Sequence, residues 1–305
     1  MIPNELPQRT IDLPRTSEAS IVVITGTALR HDRFALRLQE EFGDGVVAWL
    51  QVRNPQPLNK CRPHFANRIL SKSIRVIRNP EKLRRVPSEV RAVMRRLAKQ
   101  VRSRTSQIEV EESLFRDEVE RLRKVARVSP KTVDDPNTPD VVQYVASLRP
   151  YFIVTLGGAI YKPPLLQQAQ GIALNQHDGW CPEYKGSNTV QWALYHRDIV
   201  HLGNTIHVLT TGMDAGPIVR RSTACVVPTD TPESCFARSV ALGTELMCEV
   251  IHDIKQSAQV TVFDQPPEAG STLLFRHLSE DIQQAVLRDF KAGWLPRELQ
   301  RVTEF

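Results

Sequence analysis

The sequence predicts an α/β fold built on an open, mostly parallel Rossmann-like sheet, and three observations carry that prediction. Short apolar runs of strand length recur: IVVITG (21–26), GVVAWLQV (45–52), YFIVTLGG (151–158) and IALNQH (172–177). Segments with helical apolar spacing or helix-start signals separate them, so strand and helix alternate. Successive strands joined through a helix pair in parallel, with right-handed crossovers.

IVVITG has the continuous, β-branched character of a strand buried on both faces. HDRFALRLQEEFG (31–43) follows as a helix with Phe34, Leu36 and Leu38 inward and Gly43 as its stop. The connection TGTALRH has neither GxGxxG nor GxxxxGK spacing, which favours a plain strand-to-helix turn over a phosphate cradle. GVVAWLQV is the second strand. After the next 70 or so residues, described below, ARVSPKTV (126–133) can hold a third. TPDVVQYVASLRP (138–150) starts with a Thr or Asp cap and runs as a helix that ends by Pro150. YFIVTLGG is a buried strand entering a glycine turn, and Pro163 and Pro164 open the helix PPLLQQAQ before IALNQH.

Charge is uneven along the chain. Arg53 to Lys131 holds 22 Lys and Arg against 8 Asp and Glu, about +14, whereas the whole chain carries +6. Most of this lies in a basic insertion, about 53–118, where Val90, Val93, Met94 and Leu97 recur at helical spacing. An amphipathic helix with a solvated basic face is the expected form; a surface for phosphates, lipid or RNA is the alternative. No aromatic residue occurs from 66 to 114, which argues against a platform for single-stranded nucleic acid.

No apolar run approaches the ~18 to 20 residues needed to cross a bilayer. The start, MIPNELPQRTIDLPRTSEAS, lacks the order of a secretory signal, so a soluble, cytoplasmic protein is expected. Cys61, Cys181, Cys225, Cys235 and Cys248 are odd in number and lack CxxC pairing; they read as reduced thiols, and no metal site is expected.

Ligands of open α/β sheets sit at the carboxyl ends of strands. The turn Leu156, Gly157, Gly158, Ala159, Ile160 and the pair Asn175 and His177 both fall there. Two residues apart on a strand, Asn175 and His177 leave the same face while Gln176 points away. Asp214 lies in a loop bordered by Gly212 and Gly216, small residues that permit close approach. An amide, an imidazole and a carboxylate suit acyl transfer to an amine. The amide can donate to a developing oxyanion at any pH, the imidazole can relay the amine proton, and the carboxylate can orient the ring.

The run from 175 to 219, NQHDGWCPEYKGSNTVQWALYHRDIVHLGNTIHVLTTGMDAGPIV, resembles the core of the 10-formyltetrahydrofolate-dependent formyltransferases. The elements are Asn175 with His177, Pro182, Lys185 with Gly186, Trp192 with Ala193, Gly203 through His207, and Asp214 through Ile218, in the family's order. The resemblance extends loosely to 21–52 and about 119–263 and implies a formyltransferase fold. It implies Asn175, His177 and Asp214 as catalytic residues and 10-formyltetrahydrofolate as formyl donor, held by Leu156, Gly157, Gly158, Ala159, Ile160 and Gly212. HDGWCP stands where the transfer-RNA and purine-pathway branches have Ser-Leu-Leu-Pro, which weighs against those acceptors. Residues 1–263 are therefore expected to form the catalytic domain, with 264–305 as a short C-terminal extension. In that extension a strand or hairpin precedes a helix with Ile282, Val286 and Leu287 on one face. Such an extension is similar to that of sugar-nucleotide formyltransferases, so the acceptor implied is a small-molecule amine, an amino-sugar nucleotide. Transfer-RNA formylation through the basic insertion and formyltetrahydrofolate hydrolysis are the alternatives, and a homodimer is left open.

Overall fold

The computed structural model describes residues 6–53, 88–157, 159–266, 268–274 and 277–303, excepting the side chains of 88–105. In chain order the elements are β1 (Gln8–Asp12), β2 (Ile21–Thr25), α1 (Leu29–Phe42), β3 (Val46–Val52), α2 (Ser88–Arg123) and β4 (Pro130–Val133). Next come α3 (Pro139–Leu148), β5 (Phe152–Leu156), α4 (Pro163–Leu166), β6 (Ile172–His177), β7 (Tyr184–Gly186) and α5 (Thr189–Tyr195). They are followed by β8 (Gly203–Val208), β9 (Ile218–Thr223), α6 (Pro232–Ser257), β10 (Gln259–Phe263), β11 (Ser271–Leu273), α7 (Glu280–Lys291) and α8 (Trp294–Thr303).

Nine strands form one sheet in the order β1-β10-β9-β8-β6-β5-β2-β3-β4. From β4 to β6 every pairing is parallel, as the strand and helix alternation requires. Beyond β6 the sheet continues through antiparallel β8, β9 and β10, and β1 closes that edge against β10. Sequence reading leaves out β1: QRTID has little apolar content and is largely exposed, so only its backbone partner defines it.

Helices cover both sheet faces. On one, Phe34 and Leu38 of α1, Val119 and Leu122 of α2, and Met247 and Ile251 of α6 pack over Val23 and Val154. On the other, Val141 and Val145 of α3 and Leu165 of α4 pack over Ile24 and Leu50. Burial on both faces is why β2 and β5 read as unbroken apolar runs. Leu36 is inward with Phe34 and Leu38, because α1 is itself covered by other helices.

Described residues begin again at Ser88, within the expected basic insertion. Its carboxyl-terminal part belongs to the 36-residue helix α2, which continues to Arg123 and whose Phe115, Val119 and Leu122 are core residues. Ion pairs lock it to α1: Arg30 to Glu111 at 2.6 Å, Arg33 to Glu118 at 2.7 Å and Arg121 to Glu40 at 2.6 Å. Val90, Val93, Met94 and Leu97 lie on α2, but their side chains, like all of 54–87, fall outside the described residues.

The C-terminal segment is joined to the rest by packing. β11 pairs in parallel with β7, and Ile282, Val286 and Phe290 of α7 pack with Trp192 and Leu194 of α5. Phe290 takes the place expected of Leu287, which is 36% exposed: positions 282, 286 and 290 follow one stripe, and Leu287 is turned off it. Among the described residues no helix is long and apolar enough to cross a membrane.

Candidate active site

Three strands place a row of polar side chains across one sheet face. Thr155 of β5 is in register with Asn175 of β6, which is in register with His207 of β8. Hydrogen bonds follow the row. Thr155 Oγ1 donates to Asn175 Oδ1 at 2.6 Å, and Asn175 Nδ2 donates to His207 Nε2 at 3.1 Å. His207 Nδ1 then donates to the Val208 carbonyl at 2.9 Å, which closes the network with the ring proton on Nδ1. The amide nitrogen of Asn175 has a second N–H not needed by this row.

His177, two residues along β6, leaves the same face. Its Nε2 lies 2.9 Å from the Tyr184 carbonyl, which can only accept, so the ring donates there and turns Nδ1 toward Asp214 Oδ2 at 3.5 Å. Asp214 Oδ1 is 3.4 Å from His207 Nε2, and the Gly186 N–H donates to Oδ2 at 2.9 Å. One carboxylate thus sits between two imidazoles and a backbone amide. Burial alone pushes the Asp214 carboxyl up, but nearby His177 and the Gly186 N–H outweigh it and hold Asp214 well below the usual carboxylate range. Asn175 and His177 are therefore brought together with Asp214, distant from them in sequence, and all three are largely withdrawn from solvent.

Glycines make this approach possible. A Cβ on Gly179 would meet His177 Nε2 at 2.4 Å and the Tyr184 oxygen at 2.6 Å, so only a bare backbone lets the loop after β6 close on the imidazole. A Cβ on Gly216 would lie 1.8 Å from the Val208 oxygen, whereas one on Gly212 would come no nearer than 2.9 Å, to Ala215 Cβ.

The second predicted group lies at the end of β5. Leu156 is buried, and Gly157 has φ +62°, a left-handed turn suited to glycine. Gly158 lies outside the described residues. Ala159 packs against the core, and Ile160 is 71% exposed. The turn TGTALRH is filled by the chain itself: His31 lies where a Cβ on Gly26 would meet it at 2.6 Å, and its Nδ1 accepts from the Ala28 N–H at 3.1 Å. Burial, then nearby Arg30, drives the His31 pKa well below its ordinary value, so it stands here as a neutral plug.

Asp178 follows the imidazole and has the opposite character from Asp214. Burial raises its pKa to about 6 in spite of His177, Arg30 and a hydrogen bond from Gln176. Its folded pKa exceeds the unfolded one, so the carboxylate opposes folding increasingly as pH rises through that window and has no such effect below it. Asp178→Asn is therefore expected to stabilise the protein by roughly 1 to 3 kcal/mol at pH 8 and by almost nothing at pH 4. Urea denaturation at the two pH values checks this, and equal effects at both would refute the assignment.

Sequence reasoning gave no role to Thr155 or His207. The available signal was a lone hydroxyl within the apolar run FIVTL and a histidine ending GNTIH; the register that aligns them with Asn175 exists only in the sheet.

A family profile described as formyl transferase matches residues 79–251, more than half of the chain. Methionyl-tRNA formyltransferase from Trichlorobacter lovleyi is 28% identical over 119 residues, 39% of this chain and 37% of that protein. The enzyme of the same name from Chlamydia abortus is 27% identical over 185 residues, 59% of this chain and 54% of that protein. The chain thus spans about a third to a half of the length of these curated relatives. A solved sugar N-formyltransferase from Shewanella sp. FDAARGOS_354 shares the fold, with a TM-score of 0.51 at 12% identity over 88% of this chain and 87% of that one. With the family profile running through β6, the Asp214 loop and most of α6, the chain belongs to the formyl transferase family.

Proposed function

We propose that this protein is an N-formyltransferase that moves the formyl group of 10-formyltetrahydrofolate to a primary amine, with an amino-sugar nucleotide as the acceptor. The observation that carries the reading is the convergence of Asn175, His177 and Asp214 on one face of β6 and β8 in a chain of this family. In the reaction the amine nitrogen attacks the formyl carbon, and the carbonyl electron pair moves to oxygen. The carbon–N10 bond then breaks, and the proton lost by the amine ends on N10. The free N–H of Asn175 donates to the oxygen as it becomes anionic, a contribution of ~3 to 4 kcal/mol for a preorganised donor. His177, backed by the Asp214 carboxylate, holds the proton in transit on Nδ1.

The donor is assigned in this reading to the turn at the end of β5. Gly157, exposed and with φ +62°, opens this turn, and Gly212 lies in the loop that carries Asp214. Ile160, 71% exposed, and Met213, 47% exposed, supply apolar surface of the kind a flat ring covers. The small acceptor is supported by the C-terminal segment, whose β11 pairs with β7 beside Gly186 and so borders the loop that follows His177.

Transfer RNA is the second reading, favoured by the methionyl-tRNA formyltransferase relatives and the basic insertion. One assay separates the two: tetrahydrofolate release from 10-formyltetrahydrofolate with no acceptor, with charged initiator transfer RNA and with a panel of amino-sugar nucleotides. Acceptor-dependent release is expected with a sugar nucleotide and is expected to be abolished by Ala at Asn175, His177 or Asp214. Release only with transfer RNA, weakening steeply with salt, selects the second reading. Equal release without acceptor selects hydrolysis.

A further inference from the structure

We infer that Gln265, between β10 and β11, is a positioning residue for the Asp214 loop; the assignment rests on the proposed formyl transfer. Gln265 Nε2 donates to the Asp214 carbonyl at 2.9 Å and to the Gly216 carbonyl at 2.6 Å. Both partners can only accept, so they determine which end of the amide faces the loop.

The Asp214 loop needs such a brace. Asp214 has φ +48°, a left-handed conformation that a non-glycine residue keeps only where its surroundings impose it. That backbone geometry aims the carboxylate at His177, His207 and the Gly186 N–H together. Gln265 takes both N–H groups of its amide to the loop, one to each side of Ala215, and so pins the backbone whose side chain must reach three partners.

The residues that follow hold the other flank of the site. Lys185 Nζ donates to the Ala269 carbonyl at 2.6 Å, and Ser187 N–H donates to the Leu273 carbonyl at 2.7 Å. A Cβ on Gly270 would lie 1.5 Å from the Pro182 oxygen, so the backbones touch there. One short segment beyond the family match at 79–251 therefore grips the Asp214 loop on one side and the strand carrying Gly186 on the other. The hydrogen bond from Gly186 to Asp214 spans these two gripped parts.

Two variants of similar shape test the role: Gln265→Leu deletes both donors, and Gln265→Glu replaces them with an acceptor that repels the two carbonyls. Each is expected to lower kcat ten- to a hundredfold while changing KM for 10-formyltetrahydrofolate less than threefold, with Gln265→Glu the more severe. Amide hydrogen exchange at Gly186 is expected to accelerate at least tenfold in both, with exchange at Val23 and Val154 unchanged. Turnover within twofold of the wild type in either variant overturns the inference, as does exchange that accelerates equally at all three amides. A wild-type protein without formyl transfer sinks the proposed function instead, and Gly186 exchange then decides the positioning role by itself.

Discussion

Asp214→Asn is expected to lower turnover by roughly 10²- to 10³-fold with little change in donor KM. The substitution keeps size and one acceptor, so Gly186 N–H can still bond to it. It removes the charge between His177 and His207, where the two ring nitrogens lie 3.5 and 3.4 Å away. A neutral amide no longer favours a proton on His177 Nδ1 once the amine has attacked, so the loss falls on kcat. Stability moves with a definite sign. The Asp214 pKa is depressed by folding, so its ionisation stabilises the native state above the ordinary carboxylate pKa, and that contribution is lost as pH falls toward the folded value. Asp214→Asn should accordingly be less stable than wild type at pH 7, with the gap narrowing by pH 3. Steady-state kinetics with denaturation at both pH values measures the two effects. Unchanged kcat would remove Asp214 from the mechanism.

Gly186→Ala is expected to have a large structural effect at the site. Gly186 has φ +107°, where an L side chain is strained, and its added Cβ would lie 2.0 Å from the Leu273 oxygen. Backbone on both sides leaves no rotamer to relieve the clash, so β7 and β11 must separate. About 1 to 3 kcal/mol of conformational strain, added to the lost pairing, should lower Tm by several degrees and expose the C-terminal segment to protease. Activity should fall at least tenfold, because the same displacement withdraws the Gly186 N–H from Asp214. Gly43→Ala is the control: its φ is +53°, yet nothing lies within 4 Å of the added carbon. It therefore carries the conformational penalty alone. If the two variants lose equal stability and equal activity, the seam between β7 and β11 has no part in the site.

These predictions draw on parts of the molecule that differ in how far they can be read from the chain. IVVITG and YFIVTLGG are recognisable because strands buried on both faces are apolar at nearly every position. Asn175 and His177 can be placed on one side of a strand because side chains alternate with period two. Gly212 and Gly216 flag a loop that can come close, although the structure shows Gly216 to be the tighter of the two. Thr155 carries no comparable mark, and His207 is marked only as the end of the Gly203 to His207 element, with no role attached. Their place beside Asn175 depends on the register of β5 and β8 against β6, which hydrogen bonds between distant strands set.

The same division runs through the whole protein. Local chemistry, written in apolar periodicity, glycines and the ordered Asn-x-His to Asp-x-Gly elements, determined the α/β class, the parallel half of the sheet and the three principal polar residues. Pairing across long sequence separations decided the rest: the antiparallel half, the edge strand β1, the burial of the end of α2, and the grip of Gln265 and β11 on the site. The reason is physical. A side chain's periodicity is visible within a few residues, whereas the backbone groups that position a catalytic loop look alike in every residue and acquire meaning only from the partner that folding brings to them.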